Sequence, residues 1–253
     1  MDPTILLQRA GLSSLTTILP EVEMYYPAIG KIISATPIFE GYEDANFILA
    51  TDNGKYVIKF FLQDRTEQNI HDYAKVIDEA TNAGVQTMRL INGKNGAIGK
   101  YENASFIVTE FFTGPNFQKK TPTMEDIISA TQNIARLNTL QFPIEECYDS
   151  WGNKNLIKEF ASTPVRNKEI INEIRSVINL LEKIETNLFS KSVIHGDMQR
   201  KHVLFDGTRY CIIDYGCMSY DAKVYEISTH LAWFCLGTDN WENRDEIYSR
   251  VIA

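Results

Sequence analysis

The sequence has little that would hold a nucleic acid or cross a membrane. Its 25 lysines and arginines are outnumbered by 33 aspartates and glutamates, so the formal net charge is −8 at pH 7. A surface of that sign repels phosphates, which argues against a nucleic-acid-binding protein. No apolar run approaches the roughly 20 residues that span a bilayer, and no membrane-spanning segment is predicted.

Cysteine is scarce, and the four cysteines are scattered along the chain at positions 147, 211, 217 and 235. None belongs to the closely spaced pair that is typical of a metal site, and buried free thiols are favoured over a disulfide. The first seven residues lack the basic region and the long apolar core of a secretory signal. We therefore expect a protein of the reducing cytoplasm.

Glycine is also sparse, with 14 residues, and it does not form a phosphate-binding loop of the Walker type. Residues 93–100 contain glycine and lysine in suggestive order, but Tyr101 stands where such a loop needs serine or threonine. We interpret this segment as a turn that connects two strands. The chain has no internal repeat and no segment of low complexity.

The rest of the sequence divides into two stretches that differ in their predicted secondary structure. The first begins with one or two short helices in residues 3–19 and continues with alternating apolar patterns. These patterns predict a helix over residues 66–83 and strands over residues 31–39, 45–51, 55–61, 88–90 and 104–112. The turn signal Asp52-Asn53-Gly54 joins the second of these strands to the third.

Beyond Thr113-Gly114-Pro115 the pattern becomes mainly helical. Helices are predicted over residues 124–140, 167–188 and 223–236, and from residue 241 to the end. The length of 253 residues allows one or two domains. We predict an α+β protein with one domain in residues 1–112 and a second in residues 113–253.

The most informative run lies in the second stretch, at residues 193–216. Two short apolar strands each end on an aspartate, Asp197 and Asp214, and the turn pair Asp206-Gly207 folds the chain back. This arrangement predicts that the two aspartates meet at one end of a small sheet. A proton acceptor beside a metal-binding carboxylate is what phosphoryl transfer to a hydroxyl requires.

This run resembles the catalytic loop of aminoglycoside phosphotransferases, choline kinases and type II homoserine kinases, which are small-molecule relatives of the protein kinases. The residues that match the family's pattern are His195, Gly196, Asp197, Asp214 and Gly216. Tyr215 replaces the usual phenylalanine, and His202 stands where the family has asparagine. The resemblance implies a two-lobe protein-kinase-like fold, with a small antiparallel β lobe followed by a larger, mainly helical lobe.

The implied activity is an ATP-dependent transfer of the γ-phosphate to a hydroxyl of a small molecule. By resemblance Asp197 accepts the proton of the hydroxyl or orients that hydroxyl, and His195 braces the catalytic loop. Asp214 and His202 are the implied metal ligands for Mg²⁺, with Mn²⁺ as the alternative because imidazole suits softer ions than Mg²⁺. Glu226 stands where relatives carry an aspartate with a structural role.

Residues 41–47 and 52–59 resemble the opening strands of the family. The resemblance implies that Lys59 holds the α- and β-phosphates and that a loop containing Gly41 covers them. It also implies that the backbones of Glu110 and Phe112 contact the adenine, which makes residues 1–112 the nucleotide-binding lobe. In such folds a carboxylate on the following helix orients the lysine. Counting back from Gly84 favours Asp72 and the helical wheel favours Glu67, so this choice stays open.

The sequence leaves the acceptor open among aminoglycosides, homoserine, choline and sugars. A rival reading is a pseudokinase that binds nucleotide without catalysis, as a scaffold or regulator. His202 and the short C-terminal region favour this rival, because family members carry further helices there and the chain is either truncated or a minimal version. The expected partner is a small-molecule hydroxyl acceptor, with no nucleic acid and no membrane.

Overall fold

The computed structural model describes residues 3–39, 44–119, 121–149, 152–162, 164, 167–234, 245, 246 and 249. The chain forms two compact units. The first comprises Met1–Lys120 and Lys201–Gly216, and the second comprises Thr121–Arg200 and Cys217–Ala253. Within the described ranges, no helix is long and apolar enough to span a bilayer.

The first unit is built on a five-stranded antiparallel sheet. Its helices are α1 (Pro3–Arg9), α2 (Leu15–Tyr25) and α3 (Glu67–Asn82). The strands are β1 (Ile32–Ile38), β2 (Ala45–Thr51), β3 (Gly54–Phe60), β4 (Ile98–Tyr101) and β5 (Ala104–Glu110), in the order β1-β2-β3-β5-β4.

The second unit is mainly helical. Along the chain it contains α4 (Met124–Leu137), α5 (Leu156–Ser162), α6 (Lys168–Leu181) and β6 (Lys191–Ile194). The chain then returns to the first unit for the hairpin of β7 (Val203–Phe205) and β8 (Tyr210–Ile212). It ends its described elements in the second unit with β9 (Ser219–Ala222) and α7 (Lys223–Phe234).

The register of the β2–β3 hairpin follows from its two-residue turn. Thr51 pairs with Gly54 across Asp52-Asn53, and the same register places Asn46 opposite Lys59. Burial alternates along β2 because one face of the sheet packs on a core shared with α1 and α2. The core residues include Leu7, Ile18, Val22, Tyr26, Phe47, Phe60 and Phe106. This packing fixes the strand that carries Lys59.

The last two predicted strands of the first unit need a correction. Residues 88–90 form no strand, and Leu90 makes only an isolated bridge to Thr109. The strand is β4 instead, which lies partly in the segment interpreted as a turn. Gly99 explains the error, since a Cβ there would lie 2.4 Å from the ring of Phe106, its partner in the register. The glycine serves close packing and does not mark a turn.

The predicted helix over residues 167–188 is also too long. Helix α6 ends at Leu181, and a short 3₁₀ turn follows at Thr186–Leu188. The intervening Glu185 has ψ 79°, outside the helical range, next to the weak helix formers Thr186 and Asn187. Of the helix predicted from residue 241 onward, almost all lies outside the described residues.

Strand β6 precedes Asp197 and strand β8 precedes Asp214, but these two strands do not pair with each other. The prediction that they form one small sheet is therefore wrong. In the second unit β6 pairs with β9, and in the first unit β7 pairs with β8. The Asp206-Gly207 turn is confirmed, with Asp206 accepting hydrogen bonds from the N–H groups of Thr208 and Arg209. The division at residue 112 stays a prediction, whereas the compact units assign the hairpin to the first unit.

Candidate active site

Lys59 lies one residue before the end of β3, and its side chain is only 10% exposed. Its Nζ is 3.1 Å from Oδ2 of Asp44 and 3.5 Å from Oδ1 of Asp214. The ammonium also lies over the ring of Tyr73, 5.4 Å from its centre. Burial alone would lower the pKa of Lys59. The negative charge of Asp44 raises the pKa by more than burial lowers it, so the net pKa is above the usual value. The side chain is therefore a permanent cation.

Asp44 comes directly before β2, and its side chain is fully buried. Its carboxylate accepts hydrogen bonds from Nζ of Lys59, from Nε and Nη2 of Arg65, and from the N–H of Leu62, each at 3.1 Å. Burial raises the pKa of Asp44, but the cations of Lys59 and Arg65 outweigh it, and the net pKa is below the usual value. Asp44 is thus an ionised carboxylate between two cations.

Neither helix candidate for orienting Lys59 contacts it among the described residues. Glu67 forms an exposed ion pair with Lys100, and Asp72 is buried and accepts a hydrogen bond from Gln68. The signal for Asp44 was present in the sequence. The turn at residues 52–53 sets Asn46 opposite Lys59, and Asp44 is then the diagonal neighbour on the same face, within reach of a long side chain.

The β7–β8 hairpin brings two more predicted residues together, and one of them, Asp214, contacts Lys59. Asp214 follows β8, and the Nε2 of His202 lies 3.6 Å from its Oδ2. The N–H of Ile213 donates to the carbonyl of His202, which ties the two ends of the hairpin together. Asp214 has φ +67°, a left-handed conformation that aspartate tolerates better than most residues. Its carboxylate is 41% exposed and can receive a ligand.

The hairpin offers one carboxylate and one imidazole to a metal. Within the described ranges, no cluster of three or more histidine, cysteine, aspartate or glutamate side chains could hold an ion by itself. A hard cation such as Mg²⁺ is often held by one or two carboxylates together with substrate phosphates, and Asp214 fits that mode. The imidazole of His202 fits a softer ion better.

The second unit carries the His-Gly-Asp loop after β6. Its backbone is held by Glu226 of α7, whose Oε2 accepts the N–H groups of His195 and of Gly196, the latter at 3.2 Å. Gly196 has φ +81°, and a Cβ there would lie 2.1 Å from the carbonyl oxygen of Cys217. Only glycine fits, which explains the middle residue of the motif.

His195 is fully buried, and its Nδ1 accepts the N–H of Asp197 at 3.3 Å. This contact fixes the loop conformation, which supports a positioning role for the ring. The carboxylate of Asp197 is partly exposed and accepts a hydrogen bond from the amide of Gln199. Glu226 and His195 together hold the backbone of the loop that carries Asp197.

Glu226 is a buried carboxylate of a different kind from Asp44. Burial raises its pKa above the usual value, and the hydrogen bonds from the backbone N–H groups of His195 and Gly196 oppose that rise only in part. Its Oε1 has no hydrogen-bond partner among the described residues. The structural role expected for this position is consistent with these contacts, since Glu226 binds the loop backbone.

The predicted adenine contacts lie at the end of β5. The N–H of Glu110 already donates to the carbonyl of Arg89 at 2.9 Å. Two residues further, the ring of Phe112 lies 5.6 Å from the guanidinium of Arg209. A Cβ at Gly114 would lie 2.6 Å from the carbonyl oxygen of Phe205, so this segment packs tightly on β7. Gly41 lies outside the described residues.

The sequence matches one known protein family over most of its length. A family model described as the phosphotransferase enzyme family matches residues 34–250. The chain belongs to this family. The matched range includes both the Lys59 cluster and the His-Gly-Asp loop. It confirms the family predicted from the motifs and the class of enzyme, a small-molecule kinase.

Individual members of the phosphotransferase family are distant from this chain. A homoserine kinase of Methylobacillus flagellatus is 20% identical over 215 residues, which cover 83% of this chain and 66% of the relative. The chain thus spans about two thirds of that relative's length.

Solved structures show the same fold at lower identity. The amicoumacin kinase hAmiN, in complex with AMP-PNP, Ca²⁺ and Ami, matches with a TM-score of 0.73 and 12% identity, over 94% of this chain and 76% of that one. The choline kinase LicA from Streptococcus pneumoniae matches with a TM-score of 0.64 and 12% identity, over 93% and 79%. The protein-kinase-like fold is confirmed.

Proposed function

We propose that this phosphotransferase moves the γ-phosphate of ATP to a hydroxyl group of a small molecule. One observation carries the proposal. Lys59 and Asp214 are separated by 155 positions in the sequence, yet their side chains lie 3.5 Å apart. A buried permanent cation beside a partly exposed carboxylate provides one group for phosphate oxygens and one for the metal that accompanies them.

Each predicted residue has a chemical role in this reaction. Asp197 accepts the proton of the acceptor hydroxyl, or orients that hydroxyl, as its oxygen attacks the γ-phosphorus. The bond between the γ-phosphorus and the bridging oxygen breaks, and ADP leaves. Lys59 neutralises charge on the α- and β-phosphates, and His195 keeps Asp197 in place. The segment with Gly41 and the backbones of Glu110 and Phe112 hold the nucleotide.

The cofactors in this proposal are ATP and a divalent cation, Mg²⁺ or Mn²⁺. When bound, such a cation offsets the negative charge of the phosphates. Asp214 would hold it, and His202, whose Nε2 lies 3.6 Å from Oδ2 of Asp214, would supply a second ligand. The amicoumacin kinase hAmiN was solved with AMP-PNP and Ca²⁺, which supports a nucleotide and a divalent ion in this fold.

The second unit favours an acceptor that carries positive charge. A cleft beside Gly196 is lined by three carboxylates, those of Glu146, Asp149 and Asp221, and by one cation, Lys154. Homoserine, choline and aminoglycosides all combine a hydroxyl with a cationic nitrogen, and relatives are named for two of these acceptors. We therefore propose a cationic, hydroxyl-bearing metabolite or antibiotic, and a cytoplasmic location for the reaction.

A transfer assay with labelled phosphate tests this function. The protein is incubated with ATP labelled at the γ-phosphate and with homoserine, choline, an aminoglycoside or an uncharged sugar. We expect a labelled product with one cationic acceptor, and its loss by about 10²-fold or more in Asp197→Asn. Glu173→Gln, an exposed change on α6, is the matched control and should keep full activity. Nucleotide binding without transfer to any acceptor would instead support the pseudokinase.

A further inference from the structure

The buried pair of Asp44 and Arg65 has no role in the mechanism described above. We propose that Asp44, oriented by Arg65, is the positioning residue for Lys59. This role takes the place of the helix carboxylate that the family resemblance implies. The inference rests on the proposed function, because it assumes that Lys59 binds nucleotide phosphates.

The hydrogen bonds of Lys59 support this role. An ammonium has three N–H donors, and two of them are directed at the described carboxylates of Asp44 and Asp214. One donor then remains for a phosphate oxygen. The contact with Asp44 is the shorter, at 3.1 Å against 3.5 Å, and its carboxylate is the more buried. Asp44 therefore fixes the direction in which the ammonium points.

Arg65 in turn fixes Asp44. Its Nε and Nη2 donate hydrogen bonds to the two carboxylate oxygens of Asp44. Its Nη1 donates to Oδ1 of Asn69 at 2.9 Å. A bidentate contact of this kind fixes the plane of a carboxylate as well as its position. Arg65 precedes Thr66, the N-cap of α3, and Asn69 lies in the first turn of that helix. The helix thus acts on Lys59 through Arg65 and Asp44.

The placement of Asp44 has a consequence for nucleotide binding. Asp44 contacts the lysine that is proposed to bind the phosphates, and the same ammonium also contacts Asp214. If Asp44 loses its charge, the nearest remaining described carboxylate is Asp214, the proposed metal ligand. Lys59 would then compete with the metal for Asp214.

Two effects are expected from Asp44→Asn. Affinity for Mg·ATP should fall roughly 10- to 100-fold, by analogy with the loss seen when the hydrogen-bond partner of a metal-binding side chain is removed. The Mg²⁺ concentration needed for half-maximal nucleotide binding should rise as well, because Lys59 now occupies Asp214. A purely structural role for Asp44 would not change the metal requirement. Glu67→Gln is the matched control, since it removes a carboxylate in the first turn of α3 that pairs with Lys100 and not with Lys59.

The experiment is a calorimetric titration with Mg·ATP, without acceptor, on the wild type, Asp44→Asn, Lys59→Ala and the double variant. If Asp44 acts through Lys59, the double variant binds as weakly as Lys59→Ala alone. Wild-type affinity in Asp44→Asn, or fully additive losses in the double variant, would overturn the inference. If the wild type itself does not bind Mg·ATP, the proposed function fails, and the two failures are thereby distinguished.

Arg65→Lys keeps the test decisive if Asp44→Asn does not fold. The buried charges stay balanced in this variant, but the bidentate grip on Asp44 is lost. We expect Mg·ATP binding several-fold weaker than in the wild type, with a melting temperature that still shows a folded protein. Unchanged affinity in a folded Arg65→Lys protein would contradict the role given to Arg65 and Asp44.

Discussion

Each of the two units buries a carboxylate, but the two environments shift the pKa of that carboxylate in opposite directions. Asp44 in the first unit lies between the cations of Lys59 and Arg65, and its pKa falls below the usual value. Glu226 in the second unit accepts backbone N–H groups, and burial raises its pKa above the usual value. One environment stabilises the charged form of the carboxylate and the other penalises it.

This difference reflects what each unit must hold. A site for phosphates needs a cation whose charge persists and whose direction is fixed, and opposite charges in close contact provide both. A catalytic loop needs one backbone conformation, and a single acceptor shared by two successive N–H groups provides that.

The largest effect is expected at Asp44. Asp44→Asn leaves Lys59 and Arg65 without their shared counter-charge, and breaking a buried ion pair in this way costs about 3–5 kcal/mol. Chemical denaturation should show this loss in the free energy of unfolding. Glu67→Gln, which breaks the exposed pair with Lys100, should cost far less, because solvent and salt screen an exposed ion pair. Equal losses in the two variants would mean that the cluster is not a compensated buried charge.

The pH dependence of stability should also show the effect of His230, a buried titratable group in the second unit. Burial lowers the pKa of His230 from 6.5 to about 3, and its Nε2 lies 2.9 Å from the hydroxyl of Thr131. The unfolded chain binds a proton near pH 6.5 while the folded chain does not. This contribution to stability is therefore complete above pH 6.5 and is lost as the pH falls towards 3.

Melting temperatures between pH 7 and pH 4 measure the His230 effect. The wild type should lose stability with acid by a few kcal/mol from this group. His230→Gln keeps a partner for Thr131 but does not titrate, and its curve should be flatter over the same range. Parallel curves for the two proteins would show that folding does not lower the pKa of His230.

Glu226 should respond to pH with the opposite sign. Since its folded pKa is raised, its contribution is fully present below the ordinary carboxylate pKa and is lost as the pH rises through the folded value. Glu226→Gln keeps an acceptor oxygen and does not titrate, so this loss of stability between pH 4 and pH 7 should be absent in the variant. Unfolding curves at pH 4 and pH 7 are the measurement.

Glu226→Ala is the matched contrast, because it leaves the N–H groups of His195 and Gly196 without their acceptor. Turnover should fall about tenfold or more while the KM for ATP stays near the wild-type value, since the loop that carries Asp197 loosens. A raised KM with unchanged turnover would place the effect of Glu226 in nucleotide binding instead.

The smallest predicted effect concerns the choice of metal. If His202 is the second ligand, Mn²⁺ should support activity at least as well as Mg²⁺, and His202→Asn should move the preference towards Mg²⁺ because an amide oxygen suits the harder ion. Rates with each ion in both proteins give the ratio that decides this. An unchanged ratio would mean that His202 only ties the hairpin to Asp214.

The sequence predicted the elements and motifs well wherever the signal was local. The β2–β3 hairpin follows from its turn, Gly196 follows from the motif, and α3 begins within one residue of the predicted start at Thr66. The sequence failed where packing between distant segments decided the outcome. Gly99 looked like a turn residue because nothing local shows the ring of Phe106 above it.

The partner of Lys59 was missed for a related reason. The resemblance to the family favours Asp72 and helical periodicity favours Glu67, and neither criterion includes the strand register. Residues 44 and 59 become neighbours only when the hairpin turn is used to count across the ladder. A carboxylate one residue outside a strand also gives no periodic signal of its own. The register set by the turn at residues 52–53 would have identified it.

The most direct test of the proposed division of roles compares one residue from each unit. Calorimetry with Mg·ATP on the wild type, Lys59→Ala and Asp197→Asn measures nucleotide affinity, with phosphate transfer followed on the same samples. We predict that Lys59→Ala loses affinity, whereas Asp197→Asn binds like the wild type and loses transfer. Equal affinity in all three proteins, or transfer that survives in Asp197→Asn, would contradict this division.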